Sequence, residues 1–443
     1  MTSRRLAARV AAGSALLVTA FLTAALVATL VAIGSPALAT DTTPTLAAES
    51  PPPIQDLTPI KDTVDFPVGV AIDARDMGGA PEELLLRHFS QVTPENDMKP
   101  EAWYDASHKF APRAEIAWLM DFASRNDLRV YGHVLVWYRQ TPAWFFQHDD
   151  GTPLTASPED QEILRNRMHD HIFAVAKYLS DNWGPFGGGN PVVAFDVVNE
   201  AVDAGAGDAL GMRQSEWYRV LGEEYVDLAF QYADEAFNTT YAAPGAERPV
   251  TLFINEVYTD QPATRAVYLA LIDRLLARGA PIDGIGHQFH VNIGIPVTNL
   301  ADALAESGGR GLVQAVTEMD VPTGTPTSDA RFAMQGDYYR DAFRIFREHS
   351  DEMFSVTLWG LYDARSWLDS RGGPLIFDDD LQAKPAYYGI VDGQADQTPP
   401  NAADGGGGSP SPLPYVAGAA VLAALGAGGL VWSRRRRRRA TRP

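Results

Sequence analysis

The sequence predicts an α/β fold: a (β/α)8 barrel, preceded by an N-terminal export signal and followed by a linker and a membrane-spanning helix. Three observations predict it. Eight short segments rich in β-branched and aromatic residues alternate with amphipathic stretches, the pattern of strand followed by helix. The repeats run over residues 66–358 and beyond, a span that suits a barrel with insertions. Seven of the eight segments end in polar or aromatic side chains, where such barrels carry their chemistry.

Taken in order, the strands are expected at 66–72, 91–93, 129–133, 192–198, 250–254, 284–290, 313–317 and 354–358. Helices are expected at 82–89, 113–125, 164–182, 217–237, 262–279 and 337–349. In the first of these, Leu84, Leu85 and Phe89 share a helical face. The fourth strand is the most telling. Residues 191–198 form a buried-strand run, and it stops abruptly at Asn199 and Glu200.

The flanks differ from this body. Residues 1–39 place Arg4, Arg5 and Arg9 before an apolar run at 10–33, and Ala37-Leu38-Ala39 then fits a cleavage site, so a signal peptide is expected. Residues 40–62 are rich in Thr and Pro and are expected to be a spacer. The (β/α)8 domain is assigned to 63–396 and a Gly/Pro-rich linker to 397–412. Residues 413–433 are apolar and long enough to span a bilayer, and the basic tail 434–443 follows as a cytoplasmic stop. The expected location is therefore the cell surface, with the barrel outside and the membrane as a partner through the C-terminal helix. A monomer is expected.

The chain carries a formal charge of −20. The ten terminal arginines have no acid beside them, which leaves 26 basic against 56 acidic residues between, a balance of −30. Such a surface repels nucleic acid and anionic lipid and tolerates a neutral polysaccharide. There is no cysteine, so thiol catalysis and cysteine metal sites are excluded. His169 and His171 stand two apart on an expected helix and point away from each other, so no metal is assigned. No cofactor is expected either.

The strand ends collect the candidate residues. Glu95 and Asn96 follow the second strand. His133 ends the third, with Trp137 and Gln140 just beyond. Asn199 and Glu200 end the fourth, and Gln288 and His290 the sixth. Glu318 and Asp320 end the seventh, and Trp359 the eighth. Cleavage of a glycosidic bond needs two carboxyl groups astride it. Glu200 and Glu318, each on an apolar strand, are the best-placed pair. Asn199 can bind a sugar hydroxyl beside the reacting carbon. His290 can orient Glu318, with Asp320 fixing its tautomer. Trp137, Trp359 and Trp367 offer flat faces to sugar rings. Lys99, alone, reads as a solvated residue.

The body resembles the glycoside hydrolase family 10 endo-β-1,4-xylanases. The matching segments are Thr93-Pro94-Glu95-Asn96-Asp97-Met98-Lys99, Gly132-His133-Val134-Leu135-Val136-Trp137, Asp196-Val197-Val198-Asn199-Glu200, Gly284-Ile285-Gly286-His287-Gln288-Phe289-His290, Thr317-Glu318-Met319-Asp320 and Trp359-Gly360. The resemblance implies a retaining hydrolase acting on xylan or xylo-oligosaccharides. It implies Glu200 as acid/base and Glu318 as nucleophile. It places Glu95, Asn96, Lys99, His133, Trp137, Gln140 and Trp367 on the non-reducing side, and Trp359 on the wall of the catalytic subsite. Three stretches depart from the family: Asn255-Glu256-Val257-Tyr258 after the fifth strand, Tyr138-Arg139 before Gln140, and the bulky pair His287 and Phe289 around Gln288. The competing expectations are a retaining endo-β-glucanase and a surface carbohydrate-binding protein without catalysis. The presence of both Glu200 and Glu318 argues against the last.

Overall fold

The computed structural model describes residues 53–205 and 208–393. The expected signal peptide, most of the spacer, the linker, the membrane helix and the basic tail lie outside the described residues. Among the described residues no helix is long and apolar enough to cross a membrane.

Eight parallel strands close into a barrel in chain order. They are β1 (Val68–Ile72), β2 (Gln91–Pro94), β3 (Arg129–Val136), β4 (Val192–Asn199), β5 (Thr251–Glu256), β6 (Gly284–His287), β7 (Val313–Met319) and β8 (Met353–Leu358). Closure is made where β1 pairs with β8, Val68 against Val356 and Val70 against Leu358. All eight expected strands are present, with ends displaced by a few residues. The largest displacements are three residues, in β3, which runs on to Val136 instead of stopping at His133, and in β6, which stops at His287 instead of running to His290.

The helices are α1 (Gly79–His88), α2 (Ala114–Arg125), α3 (Pro158–Trp183), α4 (Glu216–Leu221), α5 (Glu224–Glu235), α6 (Pro262–Ala277), α7 (Thr298–Ser307), α8 (Asp329–Glu348) and α9 (Pro385–Asp392). Local chemistry explains where they depart from expectation. α3 starts well before residue 164 because the Ser157 side chain accepts from the Asp160 N–H and Pro158 opens the first turn. α8 starts before residue 337 because Ser328 caps it in the same way. The expected helix 217–237 is two helices. Gly222, at φ 65°, takes a left-handed conformation that ends α4.

The spacer boundary at residue 63 is also corrected. Leu57 and Ile60 are buried in the main core. Arg87 donates to the Leu57 carbonyl, Lys61 to that of Leu86, and the Tyr387 hydroxyl to that of Thr58. Two apolar side chains and several satisfied carbonyls make residues 57–62 part of the body.

Most apolar burial lies between the helices and the outer faces of the strands. A smaller cluster of Tyr131, Ala194, Phe253 and Ala315 comes from four different strands. The Tyr131 and Phe354 rings, on the non-adjacent β3 and β8, approach to 6.2 Å. These residues therefore fill the inside of the barrel, so that it is a packed core rather than a pore.

Candidate active site

Pairing irregularities fall at the carboxyl ends of three strands. Between β7 and β8, Val316 faces Val356 but Met319 faces Leu358, so β7 carries an extra residue around Thr317 and Glu318. Similar shifts occur between His133 and Val136 on β3 and between Asp196 and Val198 on β4. A bulge re-aims the side chains beside it. Glu200, Gln140, Tyr258 and Phe289 all have positive φ, 55°, 45°, 59° and 53°. Each such conformation costs about 1–3 kcal/mol and is typical of sites held by their surroundings.

Glu318 is buried and bonded at both oxygens. The Asn255 amide donates to Oε1 at 2.9 Å and His290 Nε2 meets Oε2 at 3.1 Å. His290 Nδ1 meets Asp320 Oδ2 at 2.9 Å, and the Trp367 indole donates to that same oxygen at 3.0 Å. Burial disfavours charge on His290, but Asp320 and Glu318 outweigh it and raise its pKa to about 10. The ring is thus an imidazolium at neutral pH, and both its nitrogens donate. Burial likewise works against ionised Glu318. The bond from His290 and the nearby charges of His133, His290 and Lys99 prevail and hold its pKa below the ordinary value.

Asn255 is fixed in turn. Its Oδ1 accepts from the Thr317 hydroxyl at 2.7 Å. Gly286 makes room for it, since a Cβ there would come within 2.5 Å of that oxygen. Behind Glu318, Asp196 accepts from the Tyr131 hydroxyl and bonds His133 Nδ1, both at 2.8 Å. His133, Asp196 and Glu318 are the described group whose donor atoms lie close enough for a cation, within 4.8 Å of one another. Bonds within the protein already engage those side chains, so the cluster works as a hydrogen-bonded brace.

Glu200 is held differently. Its backbone is tied at both ends: its N–H donates to the Asn255 carbonyl at 2.9 Å, and Arg213 donates to its carbonyl at 2.8 Å. Its carboxyl takes one side-chain bond, from Gln288 Nε2 at 3.2 Å, and the same amide reaches Asn199 Oδ1 at 3.1 Å. Glu256, fully buried behind it, accepts from the Val202 and Val257 N–H groups. Burial drives its pKa up to about 8, against the pull of Arg213.

On the other side, Lys99 donates to Asn96 at 3.0 Å and sits 5.0 Å from the Trp137 ring centre. It is buried, so the reading of Lys99 as a solvated residue is corrected. Burial lowers its pKa, opposed by the charges of Glu318, Glu95 and Glu200. Burial raises the pKa of Glu95, opposed by Lys99. Trp359 packs edge-on to His133 at 5.4 Å and to His290 at 6.3 Å. Trp137 and Trp359 are buried, while Trp367 is 46% exposed. Gln140 joins through its backbone, its carbonyl accepting from the Glu101 N–H.

The fold thus brings the sequence-derived residues to one mouth. Sequence reasoning missed Asp196, Tyr131, Thr317 and Arg213, and took Asn255 only as a departure. Asp196 had a signal: an acid inside an apolar strand is buried and must be paired. Arg213 sits in an irregular loop and had none. His287 and Phe289 are both buried. His287 bonds Thr259 at 2.9 Å and stacks on Phe289 at 5.2 Å, and burial lowers its pKa to about 4. His171 is buried and His169 stacks on Phe173 on the outer wall, both away from the mouth.

The model of glycosyl hydrolase family 10 matches residues 59–393, most of the chain. The chain belongs to glycosyl hydrolase family 10. It is 32% identical over 361 residues to an endo-1,4-beta-xylanase of Halalkalibacterium halodurans, covering 74% of this chain and 84% of that protein. It is 32% identical to an endo-1,4-beta-xylanase of Thermoanaerobacterium saccharolyticum and to an exoglucanase of Acetivibrio thermocellus, spanning only 27% and 28% of their lengths and 74% of its own. Among solved structures, xylanase B of Clostridium stercorarium aligns with a TM-score of 0.68 at 31% identity, covering 76% of this chain and all of that one. An intracellular xylanase of Thermoanaerobacterium saccharolyticum, solved as a mutant complex with xylotetraose, aligns equally well. As a family 10 member, the chain is a glycoside hydrolase built on the (β/α)8 barrel.

Proposed function

We propose that this chain is an endo-β-1,4-xylanase that cleaves xylan with retained configuration, using Glu318 as nucleophile and Glu200 as acid/base. The observation that carries the reading is the unequal handling of the two glutamates. Glu318 is kept ionised by His290 and Asn255. Glu200 has one side-chain bond and an otherwise accessible carboxyl.

In the first step a Glu318 oxygen attacks the anomeric carbon. The bond to the leaving oxygen breaks, and Glu200 gives that oxygen its proton. In the second step the Glu200 carboxylate takes a proton from water. The water attacks the same carbon and Glu318 departs as a carboxylate. Asn199, held by Gln288, bonds the hydroxyl next to the reacting carbon. Trp359 walls the catalytic subsite. Glu95, Asn96, Lys99, His133, Trp137, Gln140 and Trp367 bind xylose units on the non-reducing side. The names of the relatives and the xylo-oligosaccharide complexes of the similar structures support xylan as substrate.

A β-glucan reading has one specific support, the exoglucanase among the relatives. Reducing-sugar release from xylan, cellulose and mixed-linkage β-glucan tests both. Release from xylan above all is expected; release only from the glucans overturns the xylan assignment. We further propose, from the terminal segments alone, that the enzyme acts outside the cell on a membrane anchor. Deleting residues 405–443 should then yield soluble active enzyme in the medium.

A further inference from the structure

We propose that the wall beside Glu200 recognises a negatively charged substituent, a uronic acid carried by the sugar on the leaving side, with Arg139 as its counter-ion. The inference rests on the assignment of Glu200 as the acid that faces the leaving group. The wall is built on Tyr138. Arg213 lies over its ring, 4.6 Å from the centre, and also donates to the Glu200 carbonyl at 2.8 Å. Arg139 lies 5.2 Å from the same ring centre and donates through Nε to the Tyr138 hydroxyl at 2.7 Å. One aromatic ring thus carries a cation fixed to the Glu200 backbone and a second cation beside it.

The two arginines are not equivalent. Arg213 is balanced by Asp203 at 3.8 Å and Glu256 at 4.0 Å. Arg139 has no carboxylate within salt-bridge distance among the described residues, although acids outnumber bases 56 to 36 in this chain. Elsewhere, most buried or half-buried arginines of the body find an acid, as Arg265, Arg274 and Arg365 do, or donate to backbone carbonyls, as Arg87 and Arg167 do; Arg129 instead lies over the Phe354 ring, at the amino end of β3. Among the described residues Arg139 spends one N–H on a phenol, and its terminal nitrogens have no acceptor.

A free guanidinium fork matches a carboxylate in two parallel bonds and gains little from a neutral sugar hydroxyl. A chain at −20 also repels an acid-bearing polymer at long range. A local cation at the leaving-side wall offsets that repulsion where the bond is cut.

The test compares linear, unsubstituted xylohexaose with glucuronic-acid-substituted xylan, for the full enzyme and for Arg139→Ala and Arg139→Lys. The ratio of kcat/KM on the acidic to the neutral substrate should fall about 3- to 10-fold in Arg139→Ala, a loss in the range of a partly exposed ion pair. Activity on xylohexaose should stay within about twofold. Arg139→Lys should keep most of the ratio. Salt at about 0.5 M should lower the ratio of the natural enzyme and leave that of Arg139→Ala unchanged. Products with the uronic acid on their non-reducing terminal xylose should decline in Arg139→Ala. An equal loss on both substrates, or an unchanged ratio, overturns the inference while the xylanase assignment stands. Hydrolysis of neither substrate by the natural enzyme overturns both.

Discussion

The two glutamates at the barrel mouth live in opposite surroundings. Glu318 is buried, bonded at both oxygens and faced by an imidazolium. Glu200 is fixed through its backbone, and its carboxyl accepts one side-chain bond. A group that must stay charged profits from donors on every lone pair. A group that must gain and lose a proton within one turnover profits from few commitments. The same residue type is made into two reagents by what the neighbouring strands bring to it.

The sharpest way to break this contrast is to remove each carboxyl in turn. Glu318→Ala is expected to lose activity on every substrate, on the order of 10⁴-fold or more, because no other group attacks the sugar. Azide should restore some turnover there and give inverted product. Glu200→Ala should lose roughly 10²- to 10⁴-fold on xylan. With an acidic phenol as leaving group it should still form the glycosyl-enzyme, seen as a burst, and azide should restore turnover with retention. If the two variants respond alike, the division of labour drawn from their surroundings is wrong.

His290→Asn removes the imidazolium while keeping a polar side chain. Burial then acts on Glu318 with less opposition, so its pKa rises and the acid limb of kcat/KM moves to higher pH. A loss of roughly 10- to 100-fold at pH 5, shrinking toward pH 8, is expected. A uniform loss at all pH values would show that His290 only fills space.

The same pair sets a smaller effect on stability. The pKa of His290 is about 10 in the fold against an ordinary 6.5. Its contribution is therefore fully present below pH 6.5 and is lost as pH climbs toward 10. Urea unfolding at pH 6 and pH 9 should show that loss in the natural enzyme and a flatter profile in His290→Asn. Gln288→Ala should matter least of the four, a few-fold in kcat, since it removes the lone side-chain bond to Glu200 and leaves both backbone ties. A loss as large as that of His290→Asn would mean that Glu200 depends on its amide neighbour as Glu318 does.

Much of this site was legible in the sequence because parallel strands bury both faces and end abruptly. The run from Val192 to Asn199 shows its end by the change from valine to amide and acid. Residues whose roles depend on sheet neighbours were less legible. Asn255 holds Glu318 across the mouth, 63 positions away in sequence, and no local pattern announces that bond. Lys99 looked solvated because lysine usually is; the barrel closes over it and leaves it beside Trp137. Helix starts were misjudged where a serine cap, not apolar spacing, sets the first turn, as at Ser157 and Ser328.

The packing of residues 57–62 has a mechanical side. Tyr387 of α9 holds the Thr58 carbonyl, while Arg347 of α8 reaches both the Thr63 and Ile390 carbonyls. The beginning and the end of the folded body are therefore latched to each other, on the side where the first strand enters the barrel. A chain without cysteine has no covalent crosslink to close a ring of more than 300 residues. This latch of apolar side chains and carbonyl bonds closes it instead. Tension applied at either end of the body loads the latch first, and Glu200 and Glu318, at the opposite rim, feel it last.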